Sequence, residues 1–304
     1  MERSVEEIAT KMNGLDLWET VGPFTWALKP QGTALPYFCT LLRGDNPLVK
    51  VRLLLLEGWQ TFHDFVRTRA DRNFGFYPSP FEMAHFELVV LTSGDAKLFR
   101  HQPCYMPREA AEPERKFCAR LLWECYGVML RIESDRKLPL CFAAEQAMFS
   151  RVERRSGEWV DEALPIPKAP PYVENLRLSK SELSRAKDLP FGNDEVWEVD
   201  FRFVPKLMTK EARPRCVYEF VAADAKTGTR VFEERVSPTL EGGLKAMWEM
   251  LPGRALFQIL SRGRIPGEIR LLSGRLFRFL RPLCLELPFK LSLHDSLPHL
   301  QEGK

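Results

Sequence analysis

Between Pro214 and Leu300 the hydrophobic period switches from two to 3.6 and back more than once, and a chain written that way closes as a sheet with helices packed on it. Tyr218, Phe220 and Ala222 alternate with Val217, Glu219 and Val221, which predicts a strand from Cys216 to Asp224. Gly228 ends the turn, and the β-branched and aromatic run from Thr229 to Val236 makes the second arm of an antiparallel hairpin. Ser237 as N-cap and Pro238 as first helical residue open a helix whose Leu240, Leu244, Met247, Trp248 and Leu251 share one face. Pro252-Gly253 breaks or kinks it, and a second helical piece runs to Ser261. Ile269 to Leu272 is a short strand. Leu276, Phe279, Leu280 and Leu283 then give another helix, bent at Pro282, before a last strand from Lys290 to Leu293. The order β-β-α-β-α-β predicts a small α/β domain with a mixed sheet, because parallel neighbours need crossover connections.

The N-terminal half reads as α+β. Ser4 and Glu7 form a capping box ahead of the stripe Val5, Ile8, Ala9 and Met12. Phe24 to Leu28, Tyr37 to Leu42 and Val49 to Leu56 are strands of an antiparallel meander, followed by a helix around Trp59, Phe62 and Val66 and a buried strand from Phe86 to Leu91. Glu114 to Ile132 is the longest helix, with Phe117, Leu121, Cys125 and Val128 along one side. A hairpin turns at Ser156-Gly157, and Pro165, Pro167, Pro170 and Pro171 mark a linker. Ser179 and Glu182 cap a short helix. Val199, Phe201 and Phe203 alternate with Glu198, Asp200 and Arg202 in a strand that could join the C-terminal sheet. The expected division is an N-terminal domain over 1–168, a connecting segment with a short helix and strand over 169–212, and a C-terminal domain over 213–304.

A chain of 304 residues has room for two cores, and a net charge of +3 argues against one built as a whole to coat nucleic acid, while leaving room for a local basic face. The seven cysteines are scattered and odd in number, which fits reduced thiols and a cytoplasmic protein. Residues 1–15 lack the pattern of a leader, and no apolar run reaches the length of a membrane span.

The runs RPRCVYEFVAADAKTGTRVFEERVSP, IPGEIRLLSGRLFRFLRPLCLEL and KLSLHDSLP resemble the C-terminal module of uncharacterised two-part bacterial proteins known only as domains of unknown function. The likeness covers the last third of the chain and, more loosely, the part before it, including VWEVDFRFVP. It implies a shortened ribonuclease-H-like fold. In the family pattern an aspartate ends the first strand, matched by Asp224, and another commonly follows a later strand, where this chain has Ser273. That departure matters, because a nuclease of this type holds two metal ions about 4 Å apart on several carboxylates.

Candidate catalytic residues are therefore Asp224 with Glu241 and Asp295, against the alternative that Asp224 bonds its own turn. His101 and Cys104 have the H-x-x-C spacing of some zinc ligands without a second pair, so no metal site is expected there. His294 and His299 flank Asp295, and Cys118 and Cys125 are core residues of their helix. No P-loop, dinucleotide fingerprint or serine triad is present. The arginines Arg254, Arg262, Arg264, Arg270, Arg275, Arg278 and Arg281 are opposed only by Glu268. Of these, Arg270, Arg275, Arg278 and Arg281 are the expected anion-binding set, with Arg275 and Arg278 displayed on the helix face away from Leu276 and Phe279. An aromatic loop from Phe74 to Phe86 is a further contact surface. The expectation is a non-catalytic interaction module without cofactor, its partner a protein or a nucleic acid. The alternative is a divergent nuclease using magnesium or manganese.

Overall fold

The structure, a computed structural model, describes residues 4–15, 24–43, 47–70, 82–135, 147–171, 176, 178–208, 212–239 and 243–301. The chain divides into two compact units. One comprises Met1–Val66, Met83–Gln102 and Pro107–Pro170, the other Arg67–Glu82, Pro103–Met106 and Pro171–Lys304.

The N-terminal unit runs α1 (Val5–Asn13), β1 (Thr25–Lys29), β2 (Tyr37–Arg43), β3 (Val49–Glu57), α2 (Gly58–Ala70), β4 (His85–Leu91), β5 (Ala96–His101), β6 (Arg108–Glu109), α3 (Glu112–Ser134), β7 (Ala147–Glu153) and β8 (Trp159–Pro165). Among the described residues the strands form one eight-stranded sheet in the order β6-β5-β4-β3-β2-β1-β7-β8. The meander from β1 to β6 is antiparallel throughout, and only β1 with β7 is parallel. Because successive side chains point to opposite faces, β3 buries both of its rows. Leu53 and Leu55 join Ile8, Met12, Leu121 and Cys125 in the core under α1 and α3. Leu54 and Leu56 pack with Phe38, Phe62 and Phe65 on the other side, under α2. Ser4 caps α1 as its sequence predicts, accepting from Glu7 N at 3.2 Å.

The C-terminal unit runs α4 (Lys180–Lys187), β9 (Phe191–Met208), β10 (Cys216–Asp224), β11 (Arg230–Val236), α5 (Gly243–Glu249), α6 (Leu251–Arg262), β12 (Ile265–Leu271), α7 (Gly274–Glu286), β13 (Lys290–Leu293) and α8 (Pro298–Gln301). Its strands make a mixed five-stranded sheet, β11-β10-β9-β12-β13. β10 is antiparallel to both neighbours, whereas β12 is parallel to β9 and to β13. Trp197, Val199, Phe201, Phe220, Ile269 and Leu271 face α5, α6 and α7 in one core. On the reverse face Val221 and Ala223 lie under Leu297 and Leu300 of the tail, and polar side chains share the rest: Arg202 pairs with Glu219, and Arg270 with Glu268.

Two expectations are corrected. The segment 169–212 is no connector, since β9 within it is the middle strand of the sheet and pairs on both edges. The expected break and second helical piece are both present: α5 ends at Glu249 and α6 opens at Leu251, with Pro252 in its first turn, where a missing N–H costs nothing. The described helix expected from Ser237 and Pro238 starts at Gly243, and the Pro238 carbonyl accepts from Arg215 Nη1 at 2.8 Å.

Candidate functional site

Asp224 ends β10, where its Oδ1 accepts from Lys226 N at 3.0 Å, Thr227 N at 2.8 Å and Thr227 Oγ1 at 2.9 Å. Burial pushes the carboxyl up, but the bonds from Thr227 and Lys226 together outweigh it and hold the group below its usual range. The geometry is that of an aspartate closing its own turn. Asp224→Ala is expected to cost about 1 kcal/mol in urea unfolding; an unchanged midpoint would remove the turn role. Glu241 lies outside the described residues. Asp295 is exposed in the tail ahead of α8. Ser273, at the position where the resemblance calls for a carboxylate, caps α7 by accepting from Leu276 N at 3.2 Å. Of the two tail histidines, His294 makes a local contact and His299 ties the tail to β9 and the β10–β11 turn. His294 Nε2 lies 3.0 Å from Ser292 Oγ, and His299 donates its backbone N–H to Glu198 at 2.9 Å while its Nε2 meets the Ala225 carbonyl at 3.1 Å.

The arginines are not one displayed face. Arg275 is 4% exposed, which corrects the expectation that it stands clear of the core: it lies one helical turn before Phe279, at i and i+4, and so shares the buried side. Its Nη1 donates to Glu82 Oε2 at 2.6 Å, and its guanidinium lies 3.9 Å from the centre of the Trp248 ring. Glu82 Oε1 also accepts from Tyr218 Oη at 3.2 Å and Trp248 Nε1 at 3.1 Å. Burial, with Glu82 beside it, pushes the Tyr218 phenol well up, so it remains a donor. Arg270 is tied to Glu268 at 3.2 Å, Arg278 is half-buried with its guanidinium 5.9 Å from the Phe279 ring centre, and Arg281 is exposed. Of the aromatic loop, 71–81 lies outside the described residues, and Phe86 is a buried residue of β4.

Two other members of the arginine run do converge. Arg262 and Arg264 line a cleft of about 640 Å³ together with Arg230, Asn193, Thr227 and Thr229. Arg262 Nη2 donates to the Val231 carbonyl at 2.5 Å, which fixes the head at the rim. The cleft also carries Asp194, Glu195 and Asp224. Asp224 is engaged by its turn as above, and Glu195 accepts from Trp197 Nε1 at 2.7 Å and faces Arg264 Nε at 3.6 Å.

The N-terminal unit holds a cluster that spacing along the chain did not reveal. His85 and His101 are directly opposed on β4 and β5, and Glu87, two residues beyond His85, projects from the same face. They are 1%, 4% and 4% exposed. The imidazoles stack with centres 4.2 Å apart and planes 10° apart. His101 Nε2 is 2.8 Å from Glu87 Oε2, Arg52 Nε pairs with Glu87 Oε1, and His85 Nδ1 donates to the Met83 carbonyl at 3.0 Å. Burial, assisted by His101, pushes His85 down to about 3. Burial would raise Glu87, but hydrogen bonds from His101 and Arg52 prevail and hold it at about 2. Spacing alone sets His101 beside Cys104; the sequence signal for the cluster is the H-x-E pattern at 85–87 beside a strand ending in His101. It is the one group of three metal-ligating side chains that converges among the described residues.

Residues 182–304 match a family model described as Domain of unknown function (DUF6930). No curated protein matches the chain, and no solved structure does. Among the described residues no helix is long and apolar enough to cross a membrane.

Proposed function

We propose that the C-terminal unit is a ribonuclease-H-like scaffold of a cytoplasmic bacterial protein, and that it binds an anionic partner without cutting it. The strand order supports the scaffold: the first strand is central, the second antiparallel to it, and the fourth and fifth are parallel to it on the other side. The observation that carries the binding reading is the convergence of Arg230, Arg262 and Arg264 on one cleft beside Asn193, Thr227 and Thr229. Guanidinium forks suit phosphate oxygens, and hydroxyl and amide groups supply the neutral contacts that usually accompany them. Formal charges in the lining balance. Asp224 turns an oxygen to its own loop and Glu195 accepts from Trp197 while facing Arg264, so an incoming anion would compete with these carboxylates for the guanidinium groups. Nucleic acid is the partner these groups fit best, and the reading needs no cofactor.

Titration of a fluorescent oligonucleotide at several salt concentrations tests this. Arg230→Ala with Arg264→Ala is expected to weaken binding at low salt and to flatten the slope of log affinity against log salt by about 2. No binding at low salt would end the proposal. Cleavage in magnesium or manganese that stops in Asp224→Asn would replace it with the nuclease reading.

A further inference from the structure

We infer that His85, Glu87 and His101 form a binding site for a divalent metal ion of the zinc class, independent of the cleft in the C-terminal unit. Their ligand atoms lie within 4.8 Å of one another. Ligands around a tetrahedral ion with bonds of about 2.0–2.1 Å stand about 3.3 Å apart, and because an imidazole coordinates through a lone pair in its ring plane, the two stacked rings must turn out of their parallel arrangement to close on one ion. The antiparallel register that opposes His85 and His101 supplies two ligands from rigid strands, and the two-residue step to Glu87 supplies the third.

The surroundings orient the ligands as metal sites require. The Met83 carbonyl can only accept, so His85 Nδ1 carries the proton and Nε2 keeps its lone pair for the ion. Arg52 takes Oε1 of Glu87 and leaves Oε2 turned to His101. Arg100, the next cation along β5, points to the other sheet face, where it pairs with Glu57 at 2.8 Å and covers the Phe86 ring. Burying two imidazoles and a carboxylate beside the apolar cluster of Leu54, Leu56, Phe62 and Phe65 carries a desolvation cost that an ion would offset.

The donor set selects the ion. Magnesium and calcium take shells of oxygen, and soft monovalent copper takes thiolate and thioether. Two imidazole nitrogens with one carboxylate oxygen suit zinc, cobalt(II) or ferrous iron, and three protein ligands leave coordination positions over.

The test uses the full chain, stripped with chelator, dialysed, and offered zinc chloride or cobalt(II) chloride alone. The wild-type protein is expected to retain one equivalent of zinc through gel filtration, to develop a visible cobalt(II) absorption band, and to melt at a higher temperature with zinc. His101→Gln and His85→Gln, each shown by circular dichroism to keep its fold, are expected to bind at least about 100-fold more weakly and to lose the band. Failure of the wild-type chain to take up zinc overturns the inference, and so does equal uptake by either folded variant, which would put the ion on other histidines or cysteines.

Discussion

Glu82→Ala is expected to lower the stability of the protein by about 3–5 kcal/mol, a large share of the 5–15 kcal/mol of an ordinary domain. Glu82 and Arg275 are 4% and 5% exposed at their side chains and 2.6 Å apart. Removing the carboxylate leaves the guanidinium buried without its counter-charge, and it also deprives Tyr218 Oη and Trp248 Nε1 of their shared acceptor. Each orphaned neutral donor adds about 1–3 kcal/mol of unmet desolvation unless the site relaxes. The cation over the Trp248 face, 3.9 Å from the ring centre, then has only the ring quadrupole for compensation, worth about 2 kcal/mol in a dry site.

The pair itself contributes less than its loss would cost. Replacing both partners, Glu82→Met with Arg275→Met, removes the charges together and keeps unbranched side chains against Trp248, so the double variant is expected to recover the part of the loss due to the unpaired guanidinium, while Tyr218 Oη and Trp248 Nε1 still lack their acceptor. A cycle built from Glu82→Met, Arg275→Met and the double change should therefore show strong coupling, because the residues touch. Urea unfolding followed by tryptophan fluorescence reads all four proteins. A loss below 1 kcal/mol in Glu82→Ala would mean that water or a rearranged donor reaches the site, and the cluster would no longer count as a determinant of the fold.

Arg275 also shows where sequence reading succeeds and where it stops. The stripe Leu276, Phe279, Leu280 and Leu283 identified α7 correctly, and the Ser273 cap marks its start. Placing Arg275 on the outer face ignored its i, i+4 relation to Phe279, and nothing local announces a carboxylate 193 residues earlier in the chain. The hairpin of β10 and β11, the N-terminal meander and the long α3 were legible because each depends on local period and turn chemistry. The centrality of β9 was not, since alternation reports which face of a strand is buried and says nothing of its neighbours. The His85 cluster was hidden for the same reason: two of its ligands are adjacent only through the β4–β5 register. The cleft gathers residues from β9, β11, the β10–β11 turn and the end of α6, a grouping that only the closed sheet creates.

That closure rests on a second position with a large expected effect. Gly267→Ala should cost about 2–3 kcal/mol, because a Cβ there would stand 2.4 Å from the Asn193 carbonyl oxygen and 3.0 Å from that of Gly192. The backbone of Gly267 is not in the left-handed region, so the demand is for space alone. It arises at the irregularity in the β9–β12 pairing, where Pro266 opposes Gly192 but Glu268 opposes Val196, and the extra residues of β9 bulge against β12. A methyl group has no flexible side chain to displace, and must push 192–195 away from β12. Gly157 supplies the contrast, with φ of +82° and nothing within 4 Å of its would-be Cβ; alanine there should cost only the conformational penalty of about 1 kcal/mol. Asn193, Asp194 and Glu195 line the arginine cleft, so the Gly267 substitution should weaken the oligonucleotide binding proposed for that cleft as well as the fold, whereas Gly157→Ala should leave it untouched. Equal urea midpoints for the two alanine variants would show that β9 yields at its bulge, and the cleft would then owe its shape to something other than the contact between these two strands.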